Sequence, residues 1–251
     1  MSALSYLGDY GSNSEESDSE LDNSRRPRVK LPAPNLSQVL VVPSEQHEDN
    51  PVLHGGRTRT FAHVRGNWAT FVYVPYLDVE ILHGLLDKLQ DQVLLKVGLC
   101  ERTEDFHVSL SKTVVLKYHL ISLFTSSIQT ILKTEECFDV GFAGVKVYCN
   151  EDKSRTFVSL EVDPFAHKFL WALSKKIDQV LEEFRLPTFY EDPSFHMSIL
   201  WVNGDKKAEL DSIVESMHEI LLEETEKILN PTLIDIVHCK IGNKLFQYTL
   251  T

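Results

Sequence analysis

FHVSL at residues 106–110 returns as FHMSI at 195–199, and the fold turns on how that pair is read. Along an extended strand, successive side chains alternate between faces. Phe106, Val108 and Leu110 then share one face while His107 and Ser109 share the other; Phe195, Met197 and Ile199 stand against His196 and Ser198 in the same way. Each strand fixes its apolar side to a core and presents an imidazole and a hydroxyl together on the opposite side. With ten histidines in 251 residues, roughly one His-x-Ser is expected by chance, so the bare tripeptide carries little. One copy reads as polar positions on a half-exposed strand. Two copies in equivalent places of a repeated chain read as a site.

The flanking sequence supplies that repeat. WATFVYVPY (68–76) alternates and is rich in aromatic and β-branched residues, which predicts a strand. Asp78 is placed to cap a helix carrying Ile81, Leu82, Leu85, Leu86, Leu89 and Val93 at three- and four-residue steps. After the FHVSLS strand, the stripe Leu116, Leu120, Leu123, Phe124, Ile128 and Ile131 predicts a second helix, and VGFAGVKVYCN (140–150) a closing strand. The second half repeats the order. It reads as strand RTFVSLEV (155–162), a helix opened by Asp163 and Pro164, strand SFHMSILWV (194–202), a helix near 206–225, and strands near 232–240 and 244–250. TFV at 70–72 recurs at 156–158, with Phe71 and Phe157 standing 36 and 39 residues before His107 and His196. The matching order suggests two related lobes, about 66–150 and 151–251, in one domain spanning 51–251.

Composition bounds what such a domain does. A chain of 251 residues with 43% apolar and 25% charged residues is long enough for a substantial core. Residues 1–50 differ: they hold nine acids and four bases, and the Ser-, acid- and Pro-rich segment 12–35 reads as a disordered tail. Within it RRPRVK (25–30) reads as a nuclear-import patch or a basic linker. Net charge is −12, which suits a local grip on a nucleic-acid end better than a hold along a duplex. Cys100, Cys137, Cys149 and Cys239 form no C-x-x-C pair and are expected to be free thiols. The N-terminal MSALSYLGDYGSNSEE has no basic start followed by an apolar run, and no uncharged apolar run of eighteen occurs, so a reducing intracellular setting without a membrane span is expected.

Two imidazoles flanking one cleft suit proton transfer without a metal, because one neutral ring accepts a proton while a charged partner donates one. RNA is the matching substrate. Its 2'-hydroxyl attacks the adjacent phosphorus when a base takes its proton and an acid protonates the departing 5'-oxygen. Ser109 and Ser198 hydrogen-bond the non-bridging oxygens, where charge accumulates.

Paired His-x-Ser strands in a duplicated α/β chain resemble the 2H phosphoesterase superfamily. HGGRTRTFAHVRGNWATFVYVPY (54–76), FHVSLSKTVVL (106–116), DKSRTFVSLEV (152–162), FYEDPSFHMSILW (189–201) and CKIGNKLF (239–246) resemble more narrowly the U6 small nuclear RNA phosphodiesterase family. The resemblance implies an α/β (α+β) fold of two pseudo-symmetric lobes, each a small antiparallel sheet with helices outside, around a central cleft. It implies a nuclear, metal- and cofactor-independent 3'-to-5' exoribonuclease that shortens the uridine-rich single-stranded 3' end of U6 snRNA, releasing nucleotides and leaving a 2',3'-cyclic phosphate. Catalysis falls to His107 and His196, taken as base and acid, with phosphate binding by Ser109 and Ser198. Tyr190 is placed to stack on the terminal base, the backbone of Asp192, Pro193 and Ser194 to line the same edge, and Glu151 to reach the nucleotide from the other lobe. A monomer suffices, since two lobes complete the site. Two further functions fit the same four residues: hydrolysis of a small 2',3'-cyclic phosphate, and RNA binding without catalysis.

The other polar groups read as ordinary. The remaining histidines stand at no metal-ligand spacing; Arg57, Arg59 and Arg65 either guide RNA or pair with acids. The glycine pairs form no phosphate loop. Trp68, Trp171 and Trp201 read as core.

Overall fold

Val72 and Val74 are buried on one face of the first strand while Phe71 and Tyr73 turn to the other, so Asn67–Pro75 forms β1 as its alternation predicts. The structure is a computed structural model and describes residues 64–224 and 231–251. The tail at 1–50, Arg57, Arg59 and the histidines before residue 64 lie outside the described residues. After β1 come α1 (Val79–Val97), β2 (Glu101–Arg102), β3 (His107–Ser109), β4 (Val114–Lys117), α2 (Ile121–Leu132), β5 (Phe138–Val140) and β6 (Phe142–Cys149). The second half holds β7 (Arg155–Val162), α3 (Pro164–Glu183), β8 (His196–Asn203), α4 (Lys207–Asp211), α5 (Val214–Glu223), β9 (Thr232–Ile234), β10 (Ile236–Ile241) and β11 (Lys244–Thr249). No helix of the described residues is long and apolar enough to cross a membrane.

Nine of the described strands form one antiparallel sheet in the order β11-β10-β1-β3-β8-β7-β6, with β2 added on β8 and β4 on β1, while β5 and β9 pair as a separate two-stranded sheet. Its halves meet where β3 pairs with β8 at Val108–Met197. Those two residues are 2% and 0% exposed, so the joint is sealed from the helical side, and truncating Met197 to Ala should cost about 2–5 kcal/mol. The registers around the joint match: Tyr73 faces Ser109 and Pro75 faces His107 in one half, while Ser159 faces Ser198 and Glu161 faces His196 in the other. The repeat thus extends to backbone pairing, but the strands meet edge to edge on one sheet rather than face to face.

The halves are not continuous in sequence, contrary to the expected division at residues 150 and 151. β6 pairs with β7 in the second half-sheet, and β10 and β11 return to pair with β1 in the first. Hydrophobic periodicity specifies a strand's buried face but not its neighbour, so this exchange is invisible in the pattern.

Other expectations change locally. Leu116 belongs to β4, paired with Trp68 of β1, and the helix starts only at Ile121. The buried stripe of α2 is therefore Ile121, Phe124, Ile128 and Leu132, which leaves Leu123 exposed. Asp78 makes no cap hydrogen bond to α1; its carboxylate accepts from Thr232 Oγ1 instead. The helix expected near 206–225 breaks between α4 and α5. The strand expected at 232–240 divides at Asp235 into β9, which pairs with β5, and β10. At α3 the sequence signal holds, for Asp163 Oδ1 accepts from the amides of Phe165 and Ala166 at 2.7 and 3.0 Å and Pro164 occupies the first turn. Further along α3, buried Asp178 accepts the Phe189 amide at 2.7 Å and Lys175 Nζ at 3.3 Å, which satisfies the charge and anchors the loop leading into β8.

Candidate active site

Strand alternation places all four residues of the two motifs on one face. Phe106, Val108, Leu110, Phe195, Met197 and Ile199 are buried, while His107, Ser109, His196 and Ser198 are half-buried around one cavity of about 350 Å³. The rings are held alike. His107 Nδ1 lies 2.8 Å from the carbonyl oxygen of Asp105, and His196 Nδ1 lies 2.7 Å from that of Ser194. A carbonyl only accepts, so each Nδ1 carries hydrogen and each neutral ring keeps its lone pair on Nε2. Both rings therefore have one nitrogen fixed by the residue two before, and the other left for the cavity.

Aromatic rings hold them further. Tyr148 stacks flat on His196, centroids 3.7 Å apart and planes 14° apart, and its hydroxyl lies 2.7 Å from Ser194 Oγ. Tyr73 packs on His107 at 4.9 Å and is itself stacked by Phe71 at 5.0 Å. This burial pushes both imidazoles below their usual value, because charging a ring there forfeits hydration. A lysine beside each ring acts in the same direction: Lys240 near His107, and Lys146 near His196, whose charge is also disfavoured by charge on His107. Each lysine is answered by an acid, Lys240 by Asp105 at 3.8 Å and Lys146 by Glu161 at 3.1 Å. The cleft thus balances its charges locally within a protein of net charge −12.

The hydroxyls differ. Ser198 Oγ lies 3.1 Å from Ser159 Oγ, which is fully buried on β7. The position matching Ser159 in the first half is Tyr73, which faces Ser109.

The residues singled out for nucleotide binding separate into groups. Tyr190 is exposed, with Lys112 Nζ 4.1 Å above its ring, and Lys112 also reaches Glu151 at 4.0 Å, so these three form one cluster. Ser194 stands at the His196 wall through its bonds to Tyr148 and Lys146. The Pro193 carbonyl oxygen accepts from His167 Nε2 at 3.0 Å, and Asp192 is exposed. Neither Tyr190 nor Glu151 is among the residues lining the 350 Å³ cavity.

Sequence reading missed Tyr73, Tyr148, Lys146 and Glu161, although alternation along β1, β6 and β7 puts all four on the His/Ser face. It also missed Arg155, Phe157 and Trp201, which line the cavity. Trp201 stands five residues after His196 and by plain alternation faces the core. In the structure Ser159 faces Ser198 while Val158 faces Leu200, leaving Ile199 as an extra residue on β8. That bulge turns Trp201 back to the face of the histidines.

Comparison with known proteins agrees with this architecture. The family model described as "HVSL: Uncharacterised conserved protein" matches residues 30–249, and HVSL is the string at 107–110. U6 snRNA phosphodiesterase 1 of Mus musculus is 40% identical over 228 residues, covering 89% of this chain and 85% of that one. The protein of the same name from Homo sapiens is 38% identical over 267 residues, covering all of both chains. The solved structure of Kluyveromyces marxianus Usb1 shares the fold, with a TM-score of 0.53 at 15% identity, covering 74% of this chain and 99% of that one. With a family model spanning most of its length and full-length relatives well above 30% identity, the chain belongs to the U6 snRNA phosphodiesterase family.

Proposed function

We propose that this protein is an RNA phosphodiesterase that processes the 3' end of U6 snRNA in the nucleus, shortening its single-stranded, uridine-rich tail from the 3' side. The observation that carries this reading is the pair of Nδ1-anchored imidazoles lining one cavity with a serine beside each. The relatives' name supplies the RNA, and the geometry suits the chemistry.

His107 acts as base: its Nε2 takes the proton of the 2'-hydroxyl on the penultimate nucleotide. That oxygen bonds to phosphorus while the bond from phosphorus to the 5'-oxygen of the terminal nucleoside breaks. His196, charged, delivers its Nε2 proton to that leaving oxygen. The products are an RNA ending in a 2',3'-cyclic phosphate and a released residue with a 5'-hydroxyl, so atoms and protons balance. Ser109 and Ser198 donate to the non-bridging oxygens, Ser198 being oriented by Ser159. The Nδ1–carbonyl bonds keep both rings in the tautomer this exchange needs. Tyr190 stacks on the terminal base, with Lys112 and Glu151 beside it and the 192–194 backbone along its edge. One polypeptide completes the site, so a monomer suffices, and no step requires a metal.

An end-labelled oligouridine incubated in excess chelator tests this directly. A ladder shortening from the 3' side, with ends carrying the mass of a cyclic phosphate, is expected. His107→Ala or His196→Ala should lower turnover about 10²- to 10⁴-fold with the fold retained, and a 2'-deoxy penultimate residue should block cleavage. An intact oligomer alongside hydrolysed 2',3'-cyclic nucleotide would instead identify the small-phosphate activity.

A further inference from the structure

A phosphodiester has a nucleoside on each side, and the structure offers base-sized surfaces on both sides of the His/Ser group. Because β3 and β8 run antiparallel through Val108–Met197, the chain entering β3 and the chain leaving β8 lie on one side of that group. The chain leaving β3 and the chain entering β8 lie on the other. Lys112 and Tyr190 belong to the latter side. The former side holds Thr103, Asp105 and Trp201, and the 350 Å³ cavity extends there onto Phe157 and Arg155 of β7.

We propose that Phe157, Trp201 and Arg155 form a second base platform, which binds the nucleobase on the 5' side of the scissile phosphate while the Tyr190 cluster holds the terminal base. This assignment of sides rests on the RNA-cleaving reading above. The half-buried Phe157 ring provides the face, and Trp201, 5% exposed, is its cross-strand partner on β8. The Arg155 guanidinium lies 5.6 Å from the centre of the Phe157 ring and 5.8 Å from that of Trp201, so aromatic and guanidinium planes are gathered at one spot. Unpaired bases of single-stranded RNA are held on such planes. The bulge at Ile199 is what brings Trp201 to this face, and bulges of this kind recur where a strand must re-aim a side chain beside a site.

Charge selects a base here over a second phosphate. Glu104 and Asp105 stand on the same wall and disfavour an anion there, and apart from the two catalytic-site histidines Arg155 is the one basic side chain among the described residues lining the cavity. Thr103 adds a hydroxyl to that wall, and its Oγ1 is the buried side-chain oxygen among the described residues that has no hydrogen-bond partner. The ligand is thus a neutral ring with polar edges, joined to a phosphate held at the histidines. Tyr190 alone would leave the attacking nucleoside unanchored; a platform beneath its base fixes the ribose whose 2'-hydroxyl must approach in line.

The test compares oligouridines that carry an abasic ribose at the penultimate or the terminal position, on wild type, Phe157→Ala and Phe157→Leu, the last keeping apolar volume without the ring. Stacking of one base is worth about 5- to 150-fold. In wild type the penultimate abasic site should lower kcat/KM by a factor in that range, and in both variants that penalty should shrink to about twofold or less, with the terminal penalty unchanged. An equal penultimate penalty in wild type and Phe157→Leu would overturn the platform, as would a variant that abolishes the terminal penalty instead. Dissociation constants of the same oligomers made uncleavable by a 2'-deoxy penultimate sugar, read by fluorescence anisotropy, separate this proposal from the function itself. Discrimination in binding without trimming by wild type removes the reaction and keeps the platform; trimming without discrimination removes the platform and keeps the reaction.

Discussion

Tyr148 should act as a positioning residue for His196, and replacing it separates orientation from chemistry. Its ring lies flat on the imidazole at 3.7 Å, and its hydroxyl is 2.7 Å from Oγ of Ser194, the residue whose carbonyl anchors His196 Nδ1. Tyr148→Phe removes only the hydroxyl contact, worth about 0.5–1.5 kcal/mol, and should lower kcat about 2- to 10-fold. Tyr148→Leu also removes the ring pair, worth a further ~0.5–1.5 kcal/mol. The two contributions together predict about 5- to 150-fold. The loss should appear chiefly in kcat, since the Tyr148 ring rests on the imidazole and its hydroxyl meets the Ser194 side chain rather than the backbone proposed to line the nucleotide. Burial under the ring helps push the His196 pKa down, so Tyr148→Leu should raise it toward 6.5. With His196 as acid, the alkaline limb of the pH–rate profile then moves to higher pH; movement of the acid limb instead would exchange the two roles. Steady-state trimming of an oligouridine across pH 4.5–9, with thermal melts as a check on folding, measures all of this. A Tyr148→Leu protein with wild-type kcat and an unmoved profile would refute the reasoning.

Burial holds both His107 and His196 below 6.5, so kcat/KM, which reports the free enzyme, should peak below pH 6.5, while kcat peaks at higher pH because bound phosphate favours the charged rings. A kcat/KM maximum near pH 8 would contradict the assignment. The same depressed values predict folding stability that is full above pH 6.5 and falls as the pH drops toward the folded-state pKa, since the unfolded chain binds more protons there; urea melts at pH 5 and 7.5 check the sign. Burial pushes the thiols of Cys100 and Cys239 up to about 12, whereas Cys137 and Cys149 are half-buried. A maleimide at pH 7.5 should label the latter pair in the native protein and all four after denaturation; rapid native labelling of Cys239 would be inconsistent with its burial. Gly242 has φ +57°, and a Cβ there would lie 2.5 Å from Trp68, so Gly242→Ala should lose at least about 1–2 kcal/mol, seen as a melting temperature lower by several degrees.

The four motif residues were legible because strand alternation is local: Phe106 and Val108 must be buried, so His107 and Ser109 must turn the other way. The same rule failed at Trp201, where one extra residue at Ile199 shifts the alternation, and nothing in SFHMSILWV marks a bulge. It failed for Leu116 because residues 114–117 fit a helical stripe as well as a strand, and pairing with Trp68 in β1 decided between them. Asp163 capped α3 as its Asp-Pro signature predicts, yet Asp78 did not cap α1, because Thr232, 154 residues away, offered its carboxylate another partner. Tyr148 escaped notice because its role depends on the folding-in of β6 beside β7, a pairing that periodicity does not encode.

That exchange of strands has a mechanical consequence. The exposed turn at Glu151 to Lys153 lies between β6 and β7, and a single nick there yields two pieces. The N-terminal piece keeps β1, β3 and β4 in one half-sheet and β6 in the other. The C-terminal piece keeps β7 and β8 in the second and β10 and β11 in the first, while β5 and β9 tie the two again. Each piece is clasped by the other on both sides of the seam, so the cut chain stays fastened like two linked hooks. Such a nicked protein should hold its histidines in place and release neither half until the whole sheet melts.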